Sequence, residues 1–357
     1  MMSNIKVLIV DDSIMFREAL ARELRKDSYI VVVGTASDPF DARDKIIALK
    51  PDVMTLDVEM PKMNGIDFLR RLLPQYPLPV IVSSSLAGAV FDAIAAGAVD
   101  FVAKPAGGPG AMEVYAADMI AKIKIAADVD VASKFRLSLR ARPEVRPQPP
   151  AHPQPAARAL GPLDRERLLA IGASTGGTEA IFNVLTKLPA GIPGTVMVQH
   201  MPGGFTKLYA ERLNKACAFE VREAEDNDVV RPGLALLAPG GEYQMKLVKG
   251  IKGYSVRLVD AEKVSGHKPS VDYLFDSVAD AAGSKAIGVI LTGMGADGAK
   301  GMLKMREKGA YTIGQDRDSC VVYGMPMVAY NSGAVVAQLP LDRIAREICA
   351  RLSLRSQ

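Results

Sequence analysis

The sequence predicts an α/β fold in two halves, and three observations carry that prediction. Short Val/Ile-rich runs alternate with helical patterns on both sides of a proline-dense stretch, and continuous apolar runs suit strands buried on both faces of a parallel sheet. The stretch from Arg142 to Pro162 carries proline at 143, 147, 149, 150, 153, 155 and 162, so it lacks backbone donors and apolar periodicity and reads as an extended spacer. At 357 residues the chain exceeds what one core usually supports. The limits that follow are 1–130, a linker over 131–163, and 164–357.

In the first half the runs IKVLIV (5–10), YIVVVG (29–34), DVMTLD (52–57), LPVIVSSS (78–85) and AVDFVAK (98–104) give five parallel strands joined by crossover helices, a (βα)5 unit. After the spacer, RLLAIGAS (167–174), GTVMVQH (194–200), GLALLAP (233–239) and KAIGVILTG (285–293) continue the alternation. This half reads as a doubly wound, mostly parallel sheet. Within it, GEYQMKLVKGIKGYSVRLVD (241–260) predicts an antiparallel hairpin with its turn at GIKG.

Composition narrows the function. A net charge of +4 from 44 basic and 40 acidic residues is too slight for a nucleic-acid footprint. No short three-helix pattern with a basic recognition helix follows the spacer, which argues against a DNA-binding output. The spacer charges, among them Lys134, Arg136, Arg140, Arg142, Arg146 and Arg158, read as a solvated tether. Cys217, Cys320 and Cys349 are odd in number and widely spaced, as core thiols of a reducing compartment would be. The N-terminus turns acidic after one strand-like run and no apolar run is long enough to span a bilayer, so a cytoplasmic protein without membrane insertion is expected.

Ligands of parallel α/β sheets collect at the carboxyl ends of the strands. In the first half, Asp11 and Asp12 close the first strand, Asp57 the third, Ser84 the fourth and Lys104 the fifth. Any one of these is an ordinary polar turn residue. Together, three carboxylates would repel one another unless a hard cation such as Mg²⁺ joined them, and a hydroxyl and an ammonium suit the oxygens of a phosphorylated carboxylate. On VDDS (10–13), LDVEMPKMNG (56–65), SSSL (83–86) and DFVAKP (100–105), this half resembles a response-regulator receiver domain. The resemblance implies phosphorylation at Asp57, Mg²⁺ on Asp11, Asp12 and Asp57, and switching at Ser84, Phe101 and Lys104. The segment between SSSL and the KP pair is short, which predicts a trimmed fourth helix.

In the second half, IGASTGG (171–177) places Ser174 on a turn out of a strand, and GASTG fits the G-x-S-x-G elbow in which a strained turn exposes a nucleophile. A serine needs a base. Of three histidines, His152 lies in the spacer and His267 in the loop VSGHKPS beyond the hairpin; His200 ends the next strand and is the better base. Asp297, in the glycine-rich loop after KAIGVILTG, supplies the acid. The N–H of Thr175 and one near Met294 are the expected oxyanion donors. Competing readings are a phosphate cradle, which lacks the G-K-[ST] ending of a P-loop, and a plain N-cap with an unrelated strand-end histidine. A binding module without chemistry remains a further alternative.

On IGASTGG, VQHMP (198–202), ALLAPGGEY (235–243) and LTGMGADG (291–298), the second half resembles the catalytic domain of the chemotaxis protein-glutamate methylesterases. The resemblance implies Ser174 as nucleophile, His200 as base, Asp297 as its orienter and an oxyanion loop at Met294. It also implies the substrates: glutamyl methyl esters and certain glutamines of methylated chemoreceptors, with a chemotaxis histidine kinase as phosphodonor and no cofactor in the catalytic half. An unphosphorylated receiver covering the active site is the expected means of control.

Overall fold

The computed structural model describes residues 4–85, 87–105, 107–129, 131, 166–251 and 253–352. The chain divides into two compact units, Met1–Arg146 and Pro147–Gln357. The proline-rich segment 131–163 lies, apart from Val131, outside the described residues.

The first unit alternates β1 (Ile5–Val10), α1 (Ile14–Leu24), β2 (Ile30–Ala36), α2 (Pro39–Leu49), β3 (Val53–Asp57), α3 (Gly65–Leu72), β4 (Val80–Ser84), α4 (Ala87–Ala95), β5 (Asp100–Ala103) and α5 (Ala111–Ala127). Its sheet runs β2-β1-β3-β4-β5 with every pairing parallel. Strands β3 and β4 are buried throughout, which is why they read as unbroken apolar runs. Helices α1 and α2 start on side-chain caps: Ser13 accepts from Phe16 N, and Asp38 accepts from Phe40 N and Asp41 N with Pro39 at the first turn. The short segment before Lys104 forms α4, nine residues long against eleven in α1 and α2 and seventeen in α5.

The second unit comprises β6 (Leu168–Ala173), α6 (Gly177–Leu185), β7 (Gly194–Gln199), α7 (Phe205–Ala216), β8 (Glu220–Glu223), β9 (Val229–Val230), β10 (Leu234–Leu237), β11 (Gln244–Gly250), β12 (Gly253–Val259), α8 (Val271–Ala282), β13 (Ala286–Ile290), α9 (Ala299–Glu307), β14 (Tyr311–Gln315), α10 (Met325–Asn331), β15 (Ala337–Leu339) and α11 (Leu341–Arg351). Seven strands form a parallel sheet ordered β15-β14-β13-β6-β7-β10-β8. The expected hairpin is present, with Gly250 opposite Gly253 beside the turn, and β9 extends it to three antiparallel strands. The chain starts this sheet at β6, adds β7, runs out to the β8 edge, inserts β10 between β7 and β8, then returns to lay β13 on the other side of β6. The crevice where strand order reverses therefore opens at the end of β6. Phe275, Leu274 and Val278 of α8 are buried in a core shared with Leu168, Val196, Leu236 and Ile290, each such side chain contributing about 1.5–3 kcal/mol by burial.

Candidate active site

In the first unit the strand-end groups converge. Asp11, Asp12 and Asp57 each offer a carboxylate oxygen within 4.8 Å of the others. Lys104 Nζ lies 2.7 Å from Asp11 Oδ2 and 2.6 Å from Asp57 Oδ2. Burial pushes the Asp57 carboxyl above its ordinary range, an effect that Lys104 only partly opposes and the Asp11 charge reinforces. Burial pulls the Lys104 ammonium down, but hydrogen bonds and charge from the two carboxylates leave it above its usual value. Ser84 ends β4 fully buried, and its carbonyl accepts from Lys104 N at 3.0 Å. Phe101 is buried in β5, with Lys122 Nζ 5.0 Å from its ring centroid. Among the described residues this trio of aspartates is the only cluster of metal-ligating type. Its all-oxygen donor set fits Mg²⁺.

In the second unit Ser174 follows β6, His200 follows β7 and Asp297 follows β13, the three central neighbours of the sheet. Backbone bonds tie them together: His200 N donates to Ala173 O at 3.1 Å, and Ser174 N to Thr292 O at 3.0 Å. His200 Nε2 lies 2.7 Å from Asp297 Oδ2. That contact makes Nε2 the protonated nitrogen and Nδ1 the acceptor. Nδ1 is buried and has no hydrogen-bond partner among the described residues. The two ring nitrogens thus exchange the positions they hold in the serine-protease template, with no loss of acid–base capacity. No hydrogen bond joins Ser174 Oγ to His200 among the described residues, and such bonds commonly tighten only once substrate binds.

Asp297 is held by four donors. The Ser270 hydroxyl (2.7 Å) and Asp272 N–H (2.9 Å) reach Oδ1, while Val271 N–H (2.7 Å) joins His200 at Oδ2. Ser270 also N-caps α8 by accepting from Tyr273 N, so the acid sits on the positive end of a helix. Burial alone would push this carboxyl up; the His200 bond and charge and the α8 donors outweigh it and hold the carboxyl below its ordinary range.

The turn at Ser174 differs from the elbow expected of it. Ser174 is not among the residues with positive φ; the left-handed position is Gly176, at 75°. Glycine carries that conformation without steric cost, so the backbone reverses two residues past the serine. Gly293 is needed for a different reason: a Cβ there would lie 2.7 Å from Ser174 Cβ and 2.3 Å from Met325 Sδ. Thr175 is buried and Met294 is 45% exposed. Neither backbone N–H donates a hydrogen bond to a described residue.

Three neighbours complete the surroundings of the site, and the sequence reading weighs only one of them, His267. Gln199, buried, donates through Nε2 to Ser174 O at 2.9 Å and His200 O at 3.1 Å. Ser270 anchors Asp297. His267, set aside as lying beyond the hairpin, instead stacks on His200 with ring centroids 3.7 Å apart. Its loop folds back across the strand ends, and a polar side chain before a strand-end histidine and an N-cap serine were the signals available for the other two.

The fold and these sites define a protein with a phosphoacceptor-type pocket in one α/β unit and a serine–histidine–aspartate constellation in the other. Comparison with known proteins agrees with both halves. Residues 169–348 match the family described as CheB methylesterase, and residues 7–114 match the response regulator receiver domain. A protein-glutamate methylesterase/protein-glutamine glutaminase 2 of Syntrophomonas wolfei subsp. wolfei is 55% identical over 346 residues, covering 97% of each chain. One from Syntrophotalea carbinolica is 48% identical over 360 residues, covering 99% of each. The solved Thermotoga maritima CheB methylesterase catalytic domain superposes with a TM-score of 0.51 at 36% identity, spanning 52% of this chain and 98% of that one. The chain belongs to the CheB methylesterase family, with a receiver domain ahead of its catalytic domain.

Proposed function

We propose that this protein hydrolyses glutamyl methyl esters, and deamidates specific glutamines, on methylated chemoreceptors, under control of phosphorylation in its receiver half. Residues 1–130 act as the receiver, 131–163 as linker and 164–357 as catalytic domain. The single observation that supports the chemistry most is the 2.7 Å bond from His200 to a firmly held Asp297 at the strand end beside Ser174.

Ser174 Oγ attacks the ester carbonyl while His200 Nδ1 takes its proton, and Asp297 stabilises the imidazolium that forms. The oxyanion is received by the Thr175 and Met294 N–H groups, a donor of this kind being worth about 3 kcal/mol in the transition state. His200 returns the proton to the departing methoxy oxygen or amide nitrogen, releasing methanol or ammonia, and water then attacks the glutamyl-enzyme with His200 again as base. One site serves both leaving groups because only the departing atom differs.

In the receiver, Asp11, Asp12 and Asp57 would hold Mg²⁺, which when bound offsets the charge of an incoming phosphoryl group. Asp57 accepts that group from a chemotaxis histidine kinase, Lys104 pairs with its oxygens, and Ser84 and Phe101 carry the switch. Unphosphorylated, the receiver restrains the esterase, and phosphorylation releases it. The reading makes it a cytoplasmic enzyme that acts on the cytoplasmic part of its receptors without inserting in the bilayer or binding nucleic acid; no helix among the described residues is long and apolar enough to cross a membrane. Methanol release from methyl-labelled receptor membranes tests the reading: Ser174→Ala should abolish it, and undiminished release would reject it.

A further inference from the structure

The histidine that stacks on His200 is mounted with care that catalysis by a single imidazole does not require. The rings of His200 and His267 lie 3.7 Å apart and within 12° of parallel. The loop carrying His267 is fixed from several directions. Ser265 and Gly266 both have positive φ, 53° and 83°, and their reversal pairs Val264 with His267 through backbone bonds of 2.9 and 3.1 Å. The buried Gln244 side chain donates to His267 O at 3.0 Å and Glu262 O at 3.1 Å, and accepts from Ser270 N at 2.8 Å. Ser270, Val271 and Asp272, a few residues further on, are the groups that hold Asp297. One continuous segment therefore presents a flat ring to the face of His200 and fixes the acid at its edge.

Resting on the reading of His200 as general base, we propose that His267 is a positioning residue whose stacked ring holds the His200 imidazole in the plane that joins Nε2 to Asp297 and leaves Nδ1 for the Ser174 proton. The hydrogen bond to Asp297 fixes where Nε2 sits but still allows the ring to roll about that bond. A parallel wall against its face removes the roll. The wall must also be uncharged, because His200 becomes a cation during the reaction and a second cation at this distance would oppose it. Burial, aided by neighbouring His200, holds His267 down to about 4, so it is neutral at working pH.

The test uses the full chain and methylated receptor membranes. His267→Ala should lower kcat on the order of ten- to hundred-fold, the scale of a misplaced catalytic group, and leave KM nearly unchanged. His267→Phe, which restores a flat face but has no nitrogen, should recover most of that loss, and it keeps the comparison interpretable if the alanine variant fails to fold. A folded His267→Phe as slow as His267→Ala would overturn the proposal, since the nitrogen rather than the plane would then matter. Wild-type kcat in His267→Ala, in an enzyme that Ser174→Ala inactivates, would overturn this proposal alone. Full activity after Ser174→Ala would overturn the hydrolase reading and this inference with it.

Discussion

His200 Nε2 and Asp297 Oδ2 are 2.7 Å apart, and the acid at the far end of that bond is anchored by the hydroxyl of Ser270 and the first N–H groups of α8. The partner of His200 is therefore set by a helix terminus, and its negative charge is favoured there.

Replacing the acid tests both effects. Asp297→Asn should cut methanol release by about 10⁴-fold, because an amide no longer selects the tautomer with a free Nδ1. It should also cost roughly 1–3 kcal/mol of stability, since the new NH₂ faces donors that previously met a carboxylate oxygen. Steady-state rates and urea unfolding of the same preparation check the pair.

Gly293 separates Ser174 from Met325. A methyl group at this position would lie 2.7 Å from Ser174 Cβ, so Gly293→Ala should push the loop bearing Met294 away from the serine. The expected result is a kcat loss on the order of a hundred-fold with a modest stability cost of about 1–3 kcal/mol. Met325→Ala in the same background should return part of the activity by relieving one of the two clashes.

His267 makes stability depend on pH. Its value in the folded protein is lowered from 6.5 to about 4, chiefly by burial and then by His200, with Lys263 adding and Asp297 opposing. The unfolded chain then binds the proton first as pH falls. The contribution of the neutral ring is complete above about 6.5, declines as pH drops towards about 4, and is level below. Thermal unfolding across this window should show a steeper loss for the wild type than for His267→Phe, and equal slopes would refute the assignment.

Asp57 is the phosphoacceptor proposed for the receiver, paired with Lys104 at 2.6 Å. A small phosphodonor with Mg²⁺ should label the wild type and Ser174→Ala equally and leave Asp57→Asn unlabelled. The esterase rate should rise on phosphorylation in the wild type and stay at its basal level in Asp57→Asn.

Much of this was legible because buried parallel strands are written as continuous apolar runs. The interior strands β1, β3, β4, β6, β7, β10 and β13 have that form, and their ends point directly at Asp11, Asp57, Ser174 and His200. Strands β8 and β15 are edges: EVRE is charged and AQL has three partly buried residues, so neither carries the pattern of a covered strand. β14, YTIGQ, is buried but short and interrupted by glycine. At the site, Ser174, His200 and Asp297 stood out because chemistry and strand-end position coincide. His267 did not, since its place depends on a loop folding back over the sheet through Gln244, a tertiary contact with no local signature. The turn departs from the elbow for a related reason: the G-x-S-x-G spacing names the serine, but the backbone places its left-handed residue at Gly176.

The account stands on the nucleophilicity of one hydroxyl, and a serine-directed phosphonate ester reads it directly. Peptide mass spectrometry should find a single adduct on Ser174 in the wild type, formed far more slowly in His200→Ala and in Asp297→Asn. An adduct elsewhere, or one on Ser174 that forms at the same rate without the imidazole, would contradict it.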